Sequence, residues 1–248
     1  MTQKDNTKMY EYVYGKKTMT YWIENRKRFT EEKSRLINWD ICESAFRHLR
    51  SSRKRWLTKH ITGFCGVGKC LLRWGYQTDD HCPRCGESED TRHVVLCQDI
   101  RAEDAWLLAI SILDQWMKDN HTYPDMREYI IGRLHRWRSE TPEPPLPSNR
   151  FGLRKAAAEQ DVLGWQSFMD GGLNHHWLSV QQKYFEWLGR RNSGRRWVTA
   201  LIVKIWDVSW NMWEHRNHIL HDTMTPRKLR EIQTVNDQVE YEYEQGDE

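Results

Sequence analysis

The chain contains 248 residues, which is enough for one large domain or two small ones. Charged residues make up 29% of it, the mean hydropathy is −0.88, and no run approaches the ~18 apolar residues of a membrane span, which argues against a membrane protein. Six cysteines are too few for a disulfide scaffold of this length, and the first residues lack the apolar core of a secretory signal. We therefore expect an intracellular protein, either nuclear or cytoplasmic.

The net charge of +3 conceals a strong asymmetry along the chain. Up to Gly75 there are 17 lysines and arginines against 7 acidic residues, whereas the segment from His221 carries 3 against 8. Residues 1–36 are polar and basic with scattered aromatic side chains, and we expect them to be poorly ordered or dependent on a partner. A basic front favours a polyanionic partner, and the unlike ends also allow self-association.

Apolar residues recur at helical spacing over 37–140, which predicts a mainly helical region. Its first helix begins at Asn38 and runs to the glycine-rich stretch 63–68, and a segment with cysteines lies farther along. Pro124 suits the first turn of a helix because that position needs no N–H donor. The later predicted helices in this region cover about 69–74, 102–118 and 124–137.

Residues 141–150 hold four of the seven prolines and are the clearest linker in the chain. Beyond it, residues 151–225 are predicted to be helical, and the longest helix, about 195–221, is apolar on more than one side and should lie centrally. Residues 226–248 are predicted to form a charged helical tail. Its apolar residues, which we expect to face inward, are Leu229, Ile232, Val239 and Tyr243.

Four candidate metal ligands fall in one short segment with the spacing C-x2-C-x7-H-x3-C: Cys82, Cys85, His93 and Cys97. The first two cysteines, with Pro83 and Gly86 about them, should form a tight turn that presents both sulfurs to one point. The histidine and the last cysteine are four positions apart and so lie one above the other on a helix. Three thiolates and one imidazole are a typical tetrahedral zinc set. The sequence therefore predicts one Zn²⁺, with His81 as a possible competing ligand.

A closed set of four protein ligands leaves no position for water, so the predicted zinc is structural. Cys42, Cys65 and Cys70 have no matching partner group and are interpreted as small buried apolar residues. Fourteen tryptophans are expected to supply much of the core. Because no alternating run suggests a sheet, the predicted fold class is all-α: helical, Trp-rich, with a small zinc knuckle and no substantial sheet.

The cysteine segment, Cys82-Pro-Arg-Cys-Gly and then His93-Val-Val-Leu-Cys97 after an acidic spacer, resembles the zinc-binding region of non-LTR retrotransposon reverse transcriptases. Upstream, Trp56-Leu-Thr-Lys and Gly68-Lys-Cys-Leu-Leu-Arg-Trp-Gly75 are similar to the helix–loop–helix before the cysteines there. Downstream, Trp210-Asn-Met-Trp-Glu-His-Arg-Asn217 is similar to a Trp-x-x-Trp-x-x-Arg-Asn helix of related elements. Many members place four residues, where this chain has three, between the histidine and the last cysteine. The resemblance implies an accessory region downstream of a polymerase domain.

Three further patterns approach catalytic motifs without completing them. Residues 63–69 fit a phosphate-binding loop, but Cys70 replaces the hydroxyl residue that would bind Mg²⁺ and no buried strand precedes. Residues 76–80 have one residue more than the polymerase Tyr-x-Asp-Asp turn. Three histidines cluster near the carboxyl end of a predicted helix, where histidine interacts favourably with the helix dipole: His215, His218 and His221. A second metal site is the alternative interpretation. We predict that the chain is not an enzyme and has no small-molecule substrate.

Two functions from different classes remain open on the sequence. The first is non-specific binding to the RNA or DNA backbone through the basic helix that leads into the knuckle. The residues expected to carry it are Arg47, Arg50, Arg53, Lys54, Arg55, Lys59, Lys69 and Arg73. The alternative is a zinc-stabilised helical scaffold that docks onto another protein, and a non-functional retroelement fragment is a third interpretation.

Overall fold

A computed structural model describes residues 30–142, 146–222 and 226–245 of the chain, and most of the N-terminal segment predicted to be poorly ordered lies outside them. Within these ranges the chain is helical and has no strand, and β pairing is limited to two isolated bridges, Ile37 with Asn174 and His81 with Ser88. The predicted all-α class is therefore confirmed. No helix in the described part of the chain is both long and apolar enough to cross a membrane.

The helices are numbered here in chain order within the described ranges. They are α1 (Glu31–Leu36), α2 (Trp39–His48), α3 (Ser51–Thr62), α4 (Gly68–Arg73), α5 (His93–Leu96), α6 (Ile100–Asp119), α7 (Pro124–Ser139), a 3-10 turn (Arg150–Gly152), α8 (Leu153–Leu163), α9 (Trp165–Met169), α10 (His176–Trp187), α11 (Gly194–Asp222) and α12 (Pro226–Gln245). They fall into two compact units: Met1–Ile61 with Ile110–Asp207, and Thr62–Ala109 with Val208–Glu248. The five sequence regions predicted above are a different division and stay a prediction.

The core of the first unit is rich in tryptophan, as the composition predicts. Trp165, Trp177 and Trp197 are buried, together with Phe168 and Phe185. Two of the buried indole N–H groups find polar partners: that of Trp177 donates to Gln160 Oε1 at 3.0 Å, and that of Trp197 donates to Thr122 Oγ1 at 3.0 Å. These rings therefore bury a large apolar area without leaving the N–H groups of these two indoles unpaired.

Two local features of the first unit differ from the sequence prediction. Asn38 caps the first predicted helix, as its side chain accepts from the N–H of Ile41, but that helix ends at His48. Leu49 adopts an extended backbone (ψ 146°), so the predicted single helix is divided into α2 and α3. The helix predicted from Phe151 begins at Leu153, because Phe151 itself has a left-handed backbone (φ 58°) that an α-helix does not accommodate.

The second unit contains α4, α5, the first half of α6, the last turns of α11, and α12. Val94, Val95, Trp106 and Met212 are buried within it. The described side chains of α12, residues 233–242, are all exposed. The expectation that Val239 faces inward is therefore wrong: it is 49% exposed, because no described element covers that face of α12. The side chains of the other apolar tail residues expected to face inward lie outside the described ones.

Candidate metal centre

The first pair of ligands lies in a tight turn that begins after α4. The carbonyl of Cys82 accepts from the N–H of Gly86 at 2.9 Å, and the N–H of Cys82 donates to the carbonyl of Glu87 at 2.7 Å. Gly86 has a left-handed backbone (φ 80°), a conformation that a glycine adopts without strain. The bridge between His81 and Ser88 closes the base of this turn. The turn thus holds Cys82 and Cys85 on one side of the loop, as the spacing predicts.

The second pair is positioned by the short helix α5. His93 is its first residue, and the N–H of His93 donates to the carboxylate of Asp90 at 2.8 Å, which fixes where the helix begins. Cys97 follows the last helical residue with a non-helical backbone (ψ 129°). The predicted helical register between these two ligands therefore holds only to Leu96, and Cys97 occupies the C-cap position.

The four side chains converge on one point. Cys82 Sγ lies 3.9 Å from Cys97 Sγ, Cys85 Sγ lies 3.2 Å from His93 Nε2, and all four donor atoms lie within 4.8 Å of one another. In a tetrahedral zinc site with Zn–S bonds of about 2.3 Å, two sulfurs are about 3.8 Å apart. The arrangement therefore fits a tetrahedral metal ion, and these four residues could hold one.

Other candidate ligands lie apart from this cluster. His81 is exposed, and its Nδ1 lies 3.3 Å from a carboxylate oxygen of Asp79. Comparison of the chain with protein-family models, curated proteins and solved structures finds no match. The centre is therefore interpreted from its own geometry. Within the described ranges no second group of three or more metal-ligating side chains is found, so the histidines of α11 do not form one.

The thiols of the centre influence one another's protonation. The pKa of Cys82 is lowered because Cys97 donates a hydrogen bond to its sulfur and His93 adds another. The pKa of Cys97 is raised because its proton is held by Cys82, and burial adds to this effect. The pKa of Cys85 is raised chiefly by burial. Of the three thiols, that of Cys82 is therefore the easiest to ionise, and those of Cys85 and Cys97 hold their protons more tightly.

Metal binding should release protons, chiefly from Cys85 and Cys97, because only thiolates ligate a metal ion and the pKa values of these two thiols are raised. Lowering the pH restores these protons, so the apparent metal affinity should fall as the pH falls. Calorimetric titration of the metal-free chain with Zn²⁺ in two buffers of different ionisation enthalpy measures the number released. A buffer-independent binding enthalpy at pH 7 would contradict this assignment.

Arg84, between the first two cysteines, supports the centre from within the protein. It is buried, and its guanidinium donates to the carbonyl of Val94 in α5 at 2.7 Å, while its own carbonyl accepts from Arg101 at 2.6 Å. Its positive charge also acts to lower the pKa of Cys97, against the stronger effect of Cys82. Three thiolates with one divalent ion carry a net charge of −1, which this buried cation offsets.

A buried ion pair joins the loop between Cys85 and His93 to α11. Arg216 donates to both carboxylate oxygens of Glu89, at 3.0 and 2.6 Å, and the two side chains are 2% and 0% exposed. The carboxylate also accepts from the N–H of Gly68 at 3.0 Å. Arg216 further donates to Asn217 and lies 5.6 Å from the ring of Trp213. The loop and the Trp-x-x-Trp-x-x-Arg-Asn pattern therefore meet through a fully hydrogen-bonded carboxylate.

Gly68, which gave residues 63–69 their likeness to a phosphate-binding loop, has a structural reason to be glycine. A β-carbon at this position would lie 2.1 Å from the carbonyl oxygen of Asp80, closer than any side chain tolerates. Its N–H, the group that a phosphate would accept from, already donates to Glu89. Two positions farther on, Cys70 is buried and its thiol donates to the carbonyl of Gly63. In this structure the loop therefore binds a carboxylate of its own chain.

The remaining cysteines and histidines lie outside the centre. Cys65 and Cys70 are buried as expected, whereas Cys42 is half-buried, and burial raises the pKa of Cys42 to about 11. Burial also lowers the pKa of His215, with Arg84 and Arg101 adding to the effect. The lowered pKa favours the neutral form of His215, which lacks the positive charge that the helix dipole would favour.

The eight cations expected to contact nucleic acid are divided between the units. Six lie in the first unit, on α2, on α3 or at the joint between these helices: Arg47, Arg50, Arg53, Lys54, Arg55 and Lys59. The other two lie on α4 in the second unit: Lys69 and Arg73. Some of these cations already contact a carboxylate: Arg47 bonds Glu43, Arg53 lies 3.7 Å from Asp207, and Lys69 lies 3.9 Å from Asp90.

The buried ion pair was missed in the sequence analysis, although one signal for it exists. Arg216 falls on the same face of α11 as Met212 and Ser209, both buried, so the helical period already places a charge in the core. A buried arginine requires a carboxylate partner. The sequence offers many acidic residues and does not indicate that Glu89, 127 positions away, is that partner.

Proposed function

We propose that this chain is a structural zinc-binding module that binds nucleic acid non-specifically, similar to the accessory region of non-LTR retrotransposon reverse transcriptases. The observation that carries the proposal is the convergence of four donor atoms, three sulfurs and one imidazole nitrogen, within 4.8 Å. Thiolates favour a soft or borderline ion, and zinc accepts this tetrahedral donor set with no geometric preference of its own. Four protein ligands also leave no open position for a substrate, which argues for a structural ion and against an enzyme.

The nucleic-acid part of the proposal rests on the exposed face of α2 and α3. Trp56, Leu57 and His60 are buried, and Arg55 and Lys59, one helical turn apart, are exposed on the other side of α3. Arg50 is exposed at the joint between the two helices. Such a face presents positive charge to solvent and has no element that would enter a groove to contact base edges. Binding should therefore depend on phosphates and be independent of sequence.

Binding to a DNA duplex should weaken steeply with salt. If about five of the proposed cations contact phosphates, the plot of log K against log salt concentration has a slope near −4. Fluorescence anisotropy over a salt series measures it. Replacing Arg55 and Lys59 by glutamate should make the slope less negative by about two. A flat response at low ionic strength in the wild-type chain would overturn nucleic-acid binding altogether.

A second candidate function, a scaffold for another protein, is favoured by a separate observation. Along α6, Ile100, Leu107 and Leu108 are 71%, 47% and 63% exposed. These three residues lie on one side of the helix, and large apolar side chains exposed together are typical of protein-binding surfaces. Retention of a protein complex by the Arg55→Glu/Lys59→Glu variant, and its loss on Leu108→Asp, would favour the scaffold over the nucleic-acid module.

A further inference from the structure

The first unit contains an open groove of about 690 Å³ between α2 and the first turns of α11. Ser44 and His48 line it from α2, and Arg195, Arg196 and Lys204 line it from α11. No carboxylate is among the lining residues. The groove is therefore a concave surface with positive charge along one wall, and none of its cations was among those expected from the sequence to bind nucleic acid.

The positive charge around this groove is poorly compensated. Arg195 and Arg196 are exposed, as are Arg190 and Arg191 in the segment before α11, and no described carboxylate lies within 4 Å of any of these four guanidinium groups. Farther along, Asp207 is shared between Lys204 at 3.3 Å and Arg53 at 3.7 Å. One negative charge therefore faces two positive ones at that end of the groove.

The position of Arg195 and Arg196 is unfavourable for the helix that carries them. They occupy the first turn of α11, a helix of 29 residues whose first turn has no acidic residue. The amino end of a helix carries partial positive charge, so cations there are destabilising and carboxylates are preferred. Ser193 caps this end by accepting from the N–H of Arg196, and the N–H of Gly194 donates to Gln182. These two hydrogen bonds hold the amino end of the helix in place. The two arginines add nothing to the stability of the helix, so helix stability does not account for their presence.

The dimensions of the groove suit a polynucleotide backbone. Arg195 and Lys204 are nine positions apart on one helix, which corresponds to about 14 Å. One strand of a duplex carries a phosphate about every 3.4 Å along its axis, so this length matches about four phosphates. No phenylalanine, tyrosine or tryptophan lines the groove, so it has no large ring on which bases could stack. The lining therefore favours contact with phosphates.

We infer that the groove between α2 and the amino end of α11, with Arg195 and Arg196 at its mouth, is a second binding surface for the phosphodiester backbone of nucleic acid. The inference rests on the proposed function only in the class of ligand, because the residues differ from those of α3. Phosphates at this position would meet the guanidinium groups, Lys204 and the positive end of the α11 dipole together. The groove contributes affinity without sequence preference.

The test is the double charge reversal Arg195→Glu/Arg196→Glu in the full chain. Glutamate in the first turn suits the helix dipole, so the melting temperature should stay unchanged or rise while binding weakens. Affinity for a 20-base-pair DNA duplex should fall at least about tenfold at 0.1 M salt, and the salt slope should become less negative by about two. Parallel titrations with single-stranded DNA, single-stranded RNA and polyglutamate identify the polyanion that is bound.

A matched control is available on α8. Arg154 and Lys155 occupy the same two positions of that helix's first turn as Arg195 and Arg196 do on α11, and both are exposed. Arg154→Glu/Lys155→Glu therefore makes the same change in net charge and should leave the salt slope unchanged. Equal losses in both double variants would overturn the groove, because net charge alone would then explain the effect. Preferential binding of polyglutamate would overturn it as well.

The outcomes separate this inference from the proposed function. If the wild-type chain binds and only Arg55→Glu/Lys59→Glu makes the salt slope less negative, the groove is not a binding surface and the assignment of binding to α3 stands. If only Arg195→Glu/Arg196→Glu makes the slope less negative, the groove stands and the assignment of binding to α3 is wrong. If the wild-type chain binds none of the nucleic acids at low salt, both fail.

Discussion

Replacing Cys97 by serine should abolish stoichiometric zinc binding and destabilise the second unit strongly. Cys97 is fully buried, and its sulfur lies 3.9 Å from that of Cys82. Structural zinc contributes about 10–16 kcal/mol to the folding of small zinc peptides, so losing one of four ligands should cost on the order of 3 kcal/mol or more. Elemental analysis should find one zinc per wild-type chain and much less in the variant, and thermal melts should show the lower stability.

The effect should belong to the metal and not to the loss of a buried sulfur. Cys70 is also buried, and a serine hydroxyl could still donate to the carbonyl of Gly63. Cys70→Ser should therefore retain one zinc and melt close to the wild type. A chelator should lower the melting temperature of the wild type and of Cys70→Ser, and should leave that of Cys97→Ser unchanged. Wild-type zinc content and stability in Cys97→Ser would refute the metal centre.

The ligands of this centre were predictable because their geometry is local. A turn of Cys82-x-x-Cys85 and a one-turn helix that begins at His93 and is capped by Cys97 are each fixed by a few residues, and 16 residues hold the whole set. The all-α class follows in the same way from the spacing of apolar residues along each helix. Features that depend only on residues close together in the sequence could therefore be predicted from it.

Features that depend on distant residues could not be read in this way. The partner of Glu89 is 127 positions away, and the groove combines α2 with the start of α11. The inward orientation expected for Val239 is wrong because the hydrophobic pattern of α12 indicates an apolar face but not what covers it. The break at Leu49 also escaped prediction, since the apolar spacing continues across it. In each case the missing information is the packing of one element against another.

Removing either partner of the buried ion pair should destabilise the second unit by about 3–5 kcal/mol, because the charge left behind has neither water nor a counter-charge. Glu89→Gln leaves the Arg216 guanidinium buried at 2% exposure, but its amide oxygen can still accept from the N–H of Gly68. Arg216→Met leaves the Glu89 carboxylate with that N–H and no cation. Urea unfolding of both single variants measures the two losses.

The double variant Glu89→Gln/Arg216→Met should be more stable than the sum of the single losses allows. Neither charge remains in it, so the coupling free energy from the double-mutant cycle should reach about 2 kcal/mol or more. Glu31 and Arg35 form a matched exposed pair on α1, with side chains 71% and 74% exposed. Glu31→Gln should change stability by less than about 0.5 kcal/mol. Additive losses at Glu89 and Arg216 would contradict a specific pair.

Zinc content separates this effect from loss of the metal. The described hydrogen bonds of Arg216 go to Glu89 and Asn217 and not to the four candidate ligands, so Arg216→Met should still bind one zinc per chain. Its affinity for zinc should nonetheless fall, because the metal then selects the loop conformation without help from α11. By the same linkage, zinc should stabilise the wild type more than it stabilises this variant. Equal stabilisation of both by zinc would mean that the knuckle and the Trp-x-x-Trp-x-x-Arg-Asn helix fold independently.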